Sequence, residues 1–446
     1  MSTLSSQPYK GARDYYPADK RMQNFIFNNW KRIAMRYGYE EYGTPLVEPF
    51  DIYTAQSGQD FVNERIYDFM DREDRHIAIR PEMTPSVSRL MAARRDELPY
   101  PARLFSIANF MHYEPQRAGQ EREFWQLNID IFDADGVIAE AEIISIGVEV
   151  LRAFNVADVA YVIKINSRKL INFMMSQYLG LNMVQAQLMM KLFDGKHKIS
   201  TDEFRDLALD ILGEDMAEVG LEKISTLLNA HTMSDLPEQI RETSAVKEVE
   251  ELFEMLRAMG IGNVVFDITL MRGLDYYTGV VFEFHDTMPG STHALLGGGR
   301  YDGLVGLFDV TPISAVGIAA DAARTEQFLR ARKLFPVLPS TTEVYITVTG
   351  DETLTGAMRL ASALRDEGVN VELDTTRRSL DEQKTTAVKK GIAFIVLVGP
   401  EEVEAGVYVI KDVISSVEQK LSFERIVSIV KDRRRIHSDD LDDLFE

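Results

Sequence analysis

Cysteine is absent from all 446 residues, which excludes disulfides and thiolate-held zinc, and nothing else in the chain points to redox chemistry. The seven histidines are scattered without an H-E-x-x-H pattern, leaving carboxylate-held Mg²⁺ as the ion the composition allows. No stretch is apolar enough to span a bilayer, so no membrane association is expected. The N-terminal MSTLSSQPYKGARDYYP has no apolar segment after a basic start, so no secretory signal is expected and the expected location is the cytoplasm. Basic residues are in deficit, 49 Lys+Arg against 70 Asp+Glu, for a net charge of −21. Phosphate neutralisation needs cations, so the global sum argues against a nucleic-acid partner, but a local basic face can bind RNA while the rest repels it.

What is present belongs to an ordinary globular enzyme. A hydrophobic fraction of 45% and a charged fraction of 27% exclude disorder and fibrous repeats. The length allows two or three domains, because single cores rarely grow past about 250–300 residues. Apolar residues at helical spacing over 20–37, stopped by Gly38, predict a long amphipathic helix. Short alternating runs follow (HIAIR, ARLFSIANF, REFWQLNIDIF), with a helix after Pro85 and another over AEAEIISIGVEVLRAF. From 167 to 259 strand signals give way to Met-, Leu- and Glu-rich helical patterns, read as a helical insertion, after which NVVFDITL and GVVFEF resume the strands. Prolines 336 and 339 with the following Ser-Thr-Thr mark a linker. The expected domains are therefore 1–335, carrying the insertion, and 340–435, whose alternating strands and helices read as parallel α/β units. The acidic tail, 436–446, is expected to fray.

Several stretches gather polar residues beside glycine or proline. RPEMTP (80–85) reads either as a strand end with Thr84 capping a helix or as Glu82 facing a ligand ammonium. GGGRYDG (297–303) suits close backbone approach to a ligand and suits a bulge equally. Gln126, Asn128 and Asp130 alternate on one face of a strand, either a solvated surface or a polar binding floor. MRGLDYYTGVVFEF (271–284) sets an arginine, an aspartate and two tyrosines in a turn between strand-like runs, which turn chemistry alone does not require.

Together, KGARDYYP, RPEMTPSVSRL, EREFWQLNIDIF, RGLDYYTGVVFEF and GGGRYDGLV, in that order, resemble the histidyl-tRNA synthetases, members of the class II aminoacyl-tRNA synthetases. The resemblance runs from about residue 10 to about 435, with TRRSLDEQKTTAVKKG and the segment after it similar to the family's anticodon-binding domain. It implies an α+β catalytic domain built on an antiparallel six-stranded sheet, followed by a C-terminal α/β domain. It implies that Arg272 stabilises the reacting α-phosphate of ATP. Glu82 and Thr84 would hold the α-amino group of histidine, while Gln126, Asp130, Tyr276 and Tyr277 would line the side-chain pocket.

The family's ATP-gripping second motif is altered here: His112 stands at the motif arginine's place and Pro115 and Gln120 replace other arginines. Glu114 and Arg122 remain, and Arg117 is a substitute reached by a local shift. In the third motif Gly317 is kept, Asp321 stands where glycine is common, and Arg324 matches the motif arginine. Losing a fixed cation at ATP matters because histidine does not reproduce arginine's planar, permanently charged fork. In the C-terminal domain Arg377, Arg378, Lys384, Lys389 and Lys390 gather around a loop and helix, a solvated face or the surface that meets the anticodon stem and loop. Arg433–Arg435 read as a phosphate contact or as a helix end facing its own dipole.

The expected activity is ATP-dependent attachment of L-histidine to tRNA(His) through a histidyl-adenylate, with Mg²⁺ held largely by the nucleotide. The class implies a homodimer, and YGYEEYGTPLVEP with Pro45 resembles the motif that forms its interface. The alternative is a weakened or inactive paralogue that regulates another enzyme or senses histidine or uncharged tRNA. Regulatory paralogues generally lack the anticodon-type domain that this chain carries.

Overall fold

A computed structural model describes residues 4–55, 65–113, 121–271, 276–291 and 294–442. The chain divides into two compact units, one of Met1–Tyr15 with Gln23–Leu334 and one of Tyr16–Met22 with Phe335–Glu446. Among the described residues no helix is long and apolar enough to cross a membrane.

The first helix, Pro17–Arg36, starts on a proline whose fixed φ suits a first helical position, and it is stopped by Gly38 at φ +79°. Ile26, Trp30, Ile33 and Ala34 form its buried stripe. In chain order the strands of the larger unit are β1 Glu40–Glu41, β2 Val47–Pro49, β3 Tyr67–Met70, β4 His76–Ile79, β5 Ala102–Met111 and β6 Glu123–Phe132. They continue with β7 Tyr161–Ser167, β8 Val264–Phe266, β9 Val280–Asp286, β10 Ala294–Arg300 and β11 Ala315–Asp321.

Among the described residues these form a three-stranded sheet, β2-β4-β3, and an eight-stranded sheet, β1-β5-β6-β11-β10-β9-β7-β8. The six central strands of the latter pair antiparallel throughout, as expected. The expected strand count is corrected at the edges, where β1 and β8 add short parallel pairings to β5 and β7. Such short strands hold too few residues to show a period of two.

Register assigns the faces. Phe105, Ile129, Ile318, Phe282, Phe284, Ile163 and Ile165 share one face, and all but Ile318 are fully buried. Burying each such side chain is worth roughly 1.5–3 kcal/mol. The helix Ile138–Arg152 packs on this face. Gly147 is what lets it approach, since a Cβ there would stand 2.6 Å from the Phe284 ring and 2.9 Å from Ile318. The opposite face carries Ser106, Gln126, Asn128, Asp130, Gly317 and Gly299. Between β7 and β8 the described elements are all helical, and the last of them, Ser244–Ala258, packs against the Ile138–Arg152 helix and β7.

In the smaller unit β12 Val344–Val348, β13 Val371–Leu373, β14 Phe394–Val398, β15 Val407–Asp412 and β16 Glu418–Ser422 form one sheet, ordered β13-β12-β14-β15-β16. β12 pairs parallel with both neighbours, but β15 pairs antiparallel with β14 and β16, so the expected all-parallel alternation is corrected to a mixed sheet. The short connection from β15 to β16 allows a hairpin and no parallel crossover. Ile346, Leu360, Leu364, Val396, Ile426 and Val430 belong to its core. The last helix, Phe423–Asp442, runs on through the three arginines, so a helix end at 433–435 is not found.

Candidate active site

Glu82 follows β4 through Arg80 and Pro81, and the turn is pinned from behind. The buried Arg80 guanidinium donates to the Asn109 carbonyl at 2.9 Å and the Thr44 carbonyl at 3.0 Å. The next helix, Thr84–Ala93, has no side-chain cap at its N-cap Met83, so Thr84 does not play the capping role. Its hydroxyl lies 3.4 Å from the phenol of Tyr276, which donates to Glu82 Oε2 at 2.9 Å. Glu82 Oε1 is buried and has no hydrogen-bond partner. Burial pushes this carboxyl up to about 7, against the opposing pull of the Tyr276 hydrogen bond.

Asp130, 5% exposed in the middle of the sheet, accepts from the Tyr301 hydroxyl at 2.5 Å. Burial pushes it up to about 7 as well, with the Tyr301 hydrogen bond opposing. Its cross-strand partner is Gly317, where a Cβ would stand 2.1 Å from Asp130 Oδ1. The Tyr276 ring lies 4.9 Å from Tyr277 and 6.0 Å from Tyr301. A chain of hydroxyls and rings thus joins the two carboxyls. Gly299 seats Tyr277, because a Cβ there would be 2.8 Å from that ring. The structure therefore brings Glu82, Thr84, Asp130, Tyr276 and Tyr277 together, with Gln126 on the same strand face beside Asp321 of β11.

Sequence reasoning missed two contributors here. Tyr301 and Arg300 both sit inside the GGGRYDG stretch, whose glycines and arginine end strand β10 and whose Asp302 and Gly303 enter a turn. Arg300 is buried on the apolar side, donating to both Glu140 oxygens at 2.6 and 2.8 Å and to the Gly136 and Ala134 carbonyls. The signal was an arginine between glycines and an aromatic in a strand-compatible run, but its partner is 160 residues away.

The residues expected at ATP separate. Arg272, Glu114 and Arg117 lie outside the described residues. His112 donates from Nε2 to the Pro81 carbonyl at 2.9 Å and sets its ring edgewise on Phe124, so it braces the turn that carries Glu82. Arg122 donates to the Tyr9 hydroxyl at 3.0 Å and lies 4.8 Å over the Tyr113 ring. Arg324 is exposed on the helix Ala322–Ala331, its backbone N–H capped by Asp321 at 2.9 Å and its Nη1 donating to the Ala294 carbonyl.

In the smaller unit a buried carboxylate organises the basic loop. Asp374 accepts from Tyr345 at 2.6 Å, from the backbone and hydroxyl of Thr376 at 2.7 and 2.6 Å, and from Arg378 at 3.2 Å. Burial would raise this carboxyl, but those bonds hold it below its ordinary value. Arg377, at φ +54°, pairs with Asp351 at 3.0 Å, and Lys390 pairs with Glu372. Lys384 and Lys389 ride on the capped helix Leu380–Lys389. Arg433 and Arg434 pair within the unit, with Asp412 and Glu343.

Two buried carboxyls with raised proton affinity thus lie on the small-residue side of an antiparallel sheet, an arrangement suited to a cationic, hydrogen-bonding group. Residues 11–324 match the family model for histidyl-tRNA synthetase, and residues 343–433 match that for an anticodon binding domain. The histidine–tRNA ligase of Leptospira biflexa serovar Patoc is 36% identical over 432 residues, covering 96% of this chain and 98% of that one. That of Opitutus terrae is 30% identical over 439 residues, covering 97% and 99%. The crystal structure of the histidyl-tRNA synthetase from Nostoc sp. PCC 7120 has the same fold, with a TM-score of 0.81 at 23% identity over 97% of this chain and 100% of that one. With a family model spanning more than half its length and relatives matched nearly end to end, the chain belongs to the histidyl-tRNA synthetase family of class II aminoacyl-tRNA synthetases.

Proposed function

We propose that this chain joins L-histidine to tRNA(His) in the cytoplasm, first forming histidyl-adenylate from histidine and ATP. The observation that carries the reading is the linked pair of buried carboxyls, Glu82 and Asp130, bridged by Tyr276 and Tyr301. Glu82 Oε1 is an acceptor without a partner, suited to the α-ammonium of an amino acid, whose charge draws the carboxyl into its ionised form. Thr84 adds an acceptor beside it. Asp130 and Gln126 face the imidazole, with Tyr276 and Tyr277 as the aromatic wall.

With the amino acid held so, its carboxylate oxygen attacks the α-phosphorus of ATP and pyrophosphate leaves. The terminal ribose hydroxyl of tRNA then attacks the activated carbonyl and releases AMP. Arg272 is assigned to the charge that develops on the α-phosphate, and Arg122, Arg324, Glu114 and Arg117 to ATP. His112 is assigned instead to support of the turn that carries Glu82, through the Pro81 carbonyl. Among the described residues no group of three or more His, Asp or Glu side chains is placed to hold a metal; Mg²⁺ is assigned to the nucleotide, with which it would enter as part of the substrate.

The smaller unit is assigned to the tRNA anticodon region through Arg377, Arg378, Lys384 and Lys389. The chain is assigned to a homodimer. Apolar side chains left exposed at Leu46, Val47, Phe69 and Met70, on and beside the three-stranded sheet, support an interface near that sheet. Histidine-dependent exchange of pyrophosphate into ATP tests the reading. Exchange absent with histidine, or equal with other amino acids, overturns it.

A further inference from the structure

Three buried polar atoms near the pocket have no hydrogen-bond partner: Tyr42 Oη, Ser106 Oγ and Asn128 Nδ2. Ser106 and Asn128 are direct cross-strand partners on β5 and β6, 1% and 6% exposed, on the face that carries Asp130. Tyr42 is fixed beside them, since its backbone N–H donates to the Phe105 carbonyl at 2.9 Å. Its ring packs against the cluster that holds Tyr276, Tyr277 and Tyr301, the tyrosines beside the two carboxyls, and burial first, then the charge of Asp130, pushes its phenol well up. The Tyr42 and Ser106 hydroxyls approach each other without reaching hydrogen-bond geometry.

Native folds seldom leave a buried amide or hydroxyl unpaired, because the group forfeits its bonds to water and gains none in return. Three at one place, next to a carboxyl whose own partner is already present, indicate groups kept for something that enters. An imidazole presents one ring N–H and one bare ring nitrogen. Asp130 can accept the first. The Asn128 amide donor and the Tyr42 and Ser106 hydroxyls can serve the second.

We propose that Tyr42, Ser106 and Asn128 form a recess continuing the pocket past Asp130, which takes the acceptor nitrogen of the substrate's ring directly or through one ordered water. The inference rests on the histidine-activating reading above, and it makes Tyr42 and Asn128 specificity-determining residues that the motifs do not reveal. The Tyr42 ring also packs against Met83, Ala108, Phe110 and Phe124, so the informative change removes the hydroxyl and keeps the ring.

The test is steady-state pyrophosphate exchange with the full-length wild type, Tyr42→Phe and Asn128→Ala, accompanied by thermal unfolding of each. The expected result is an about tenfold rise in KM for histidine in each variant, with kcat within about threefold and KM for ATP unchanged. Discrimination against 3-(2-pyrrolyl)alanine, whose ring lacks the acceptor nitrogen, should narrow by a similar factor. Tyr42→Phe keeps the ring and its packing, so thermal unfolding separates a lost contact to histidine from a disturbed fold. An unchanged histidine KM in Tyr42→Phe and Asn128→Ala overturns the recess while leaving the proposed function intact. A wild type without histidine-dependent exchange overturns both.

Discussion

The Tyr276 phenol donates to Glu82 Oε2 at 2.9 Å across 194 residues of sequence, and this contact connects the turn after β4 to the tyrosine pair before β9. A hydrogen bond to a charged group is worth about 1.5–3 kcal/mol, so Tyr276→Phe should raise KM for histidine by about 10–100-fold. KM for ATP should hardly move. Equal changes in the two constants would show that the variant has disturbed the whole sheet.

Glu82 and Asp130 are both pushed up to about 7, from ordinary values of 4.5 and 3.8, so each binds its proton more tightly folded than unfolded. Their stabilising contribution is complete below the ordinary values and is lost as pH rises through about 7. Burial moves Asp321 and Glu121 in the same direction. The unliganded protein should therefore melt at progressively lower temperature from pH 5 to pH 8, and Glu82→Gln and Asp130→Asn should each flatten that slope. A wild-type profile rising over this interval contradicts the assignment.

Gly317→Ala would place a methyl carbon 2.1 Å from Asp130 Oδ1, and one of the two must move. Overpacking of this kind costs about 1–3 kcal/mol, which predicts a roughly 10–100-fold fall in kcat/KM for histidine. A crystal structure of the variant should show the carboxyl displaced from Tyr301. Wild-type kinetics would mean that the strands relax instead.

The Arg300–Glu140 pair joins β10 to the helix beneath the sheet with both side chains buried, 8% and 2% exposed. Glu140→Ala leaves the guanidinium without its counter-charge and should cost about 3–5 kcal/mol in urea unfolding. Arg300→Met combined with Glu140→Leu should recover much of that loss. A double variant no better than the single one would show that the carbonyl bonds of Arg300, not the charge pair, carry its value.

In the smaller unit the four basic residues assigned to tRNA divide into anchored and projecting groups. Arg378 is tied to the buried Asp374, whereas Lys384 and Lys389 stand on the helix surface. Lys384→Glu and Lys389→Glu should each weaken tRNA binding and reduce the steepness of its salt dependence by about 0.7–1 per lost phosphate contact. Pyrophosphate exchange should be unaffected. Arg378→Ala should act instead by lowering the melting temperature of this unit.

Local pattern exposed much of this fold. The alternation in REFWQLNIDIF predicts both β6 and the polar face that carries Gln126, Asn128 and Asp130. Helical spacing predicts the first helix to within a few residues of Pro17–Arg36. β1, with two residues, and β16, EQKLS, have no such period and were not legible. The sense of pairing in the smaller sheet depends on connection length more than on strand composition.

Within the site, residue types pointed to Glu82, Asp130 and the tyrosines, but not to how they meet. Tyr301 reaching Asp130 and His112 bracing Pro81 are consequences of register and packing between distant segments. Position in a motif suggested a nucleotide contact for His112, whereas the fold directs its ring nitrogen into the protein.

Gly299 and Gly317 contribute empty volume, and each vacancy is fitted to one occupant, the Tyr277 ring and the Asp130 carboxylate. Socket and occupant lie on separate chain segments, so neither can be exchanged alone without leaving a gap or a collision. Inheritance should treat them as matched pairs. Redesign of the pocket for another amino acid would have to recast both halves of each joint together, and residues that never touch the substrate thereby become part of its selection.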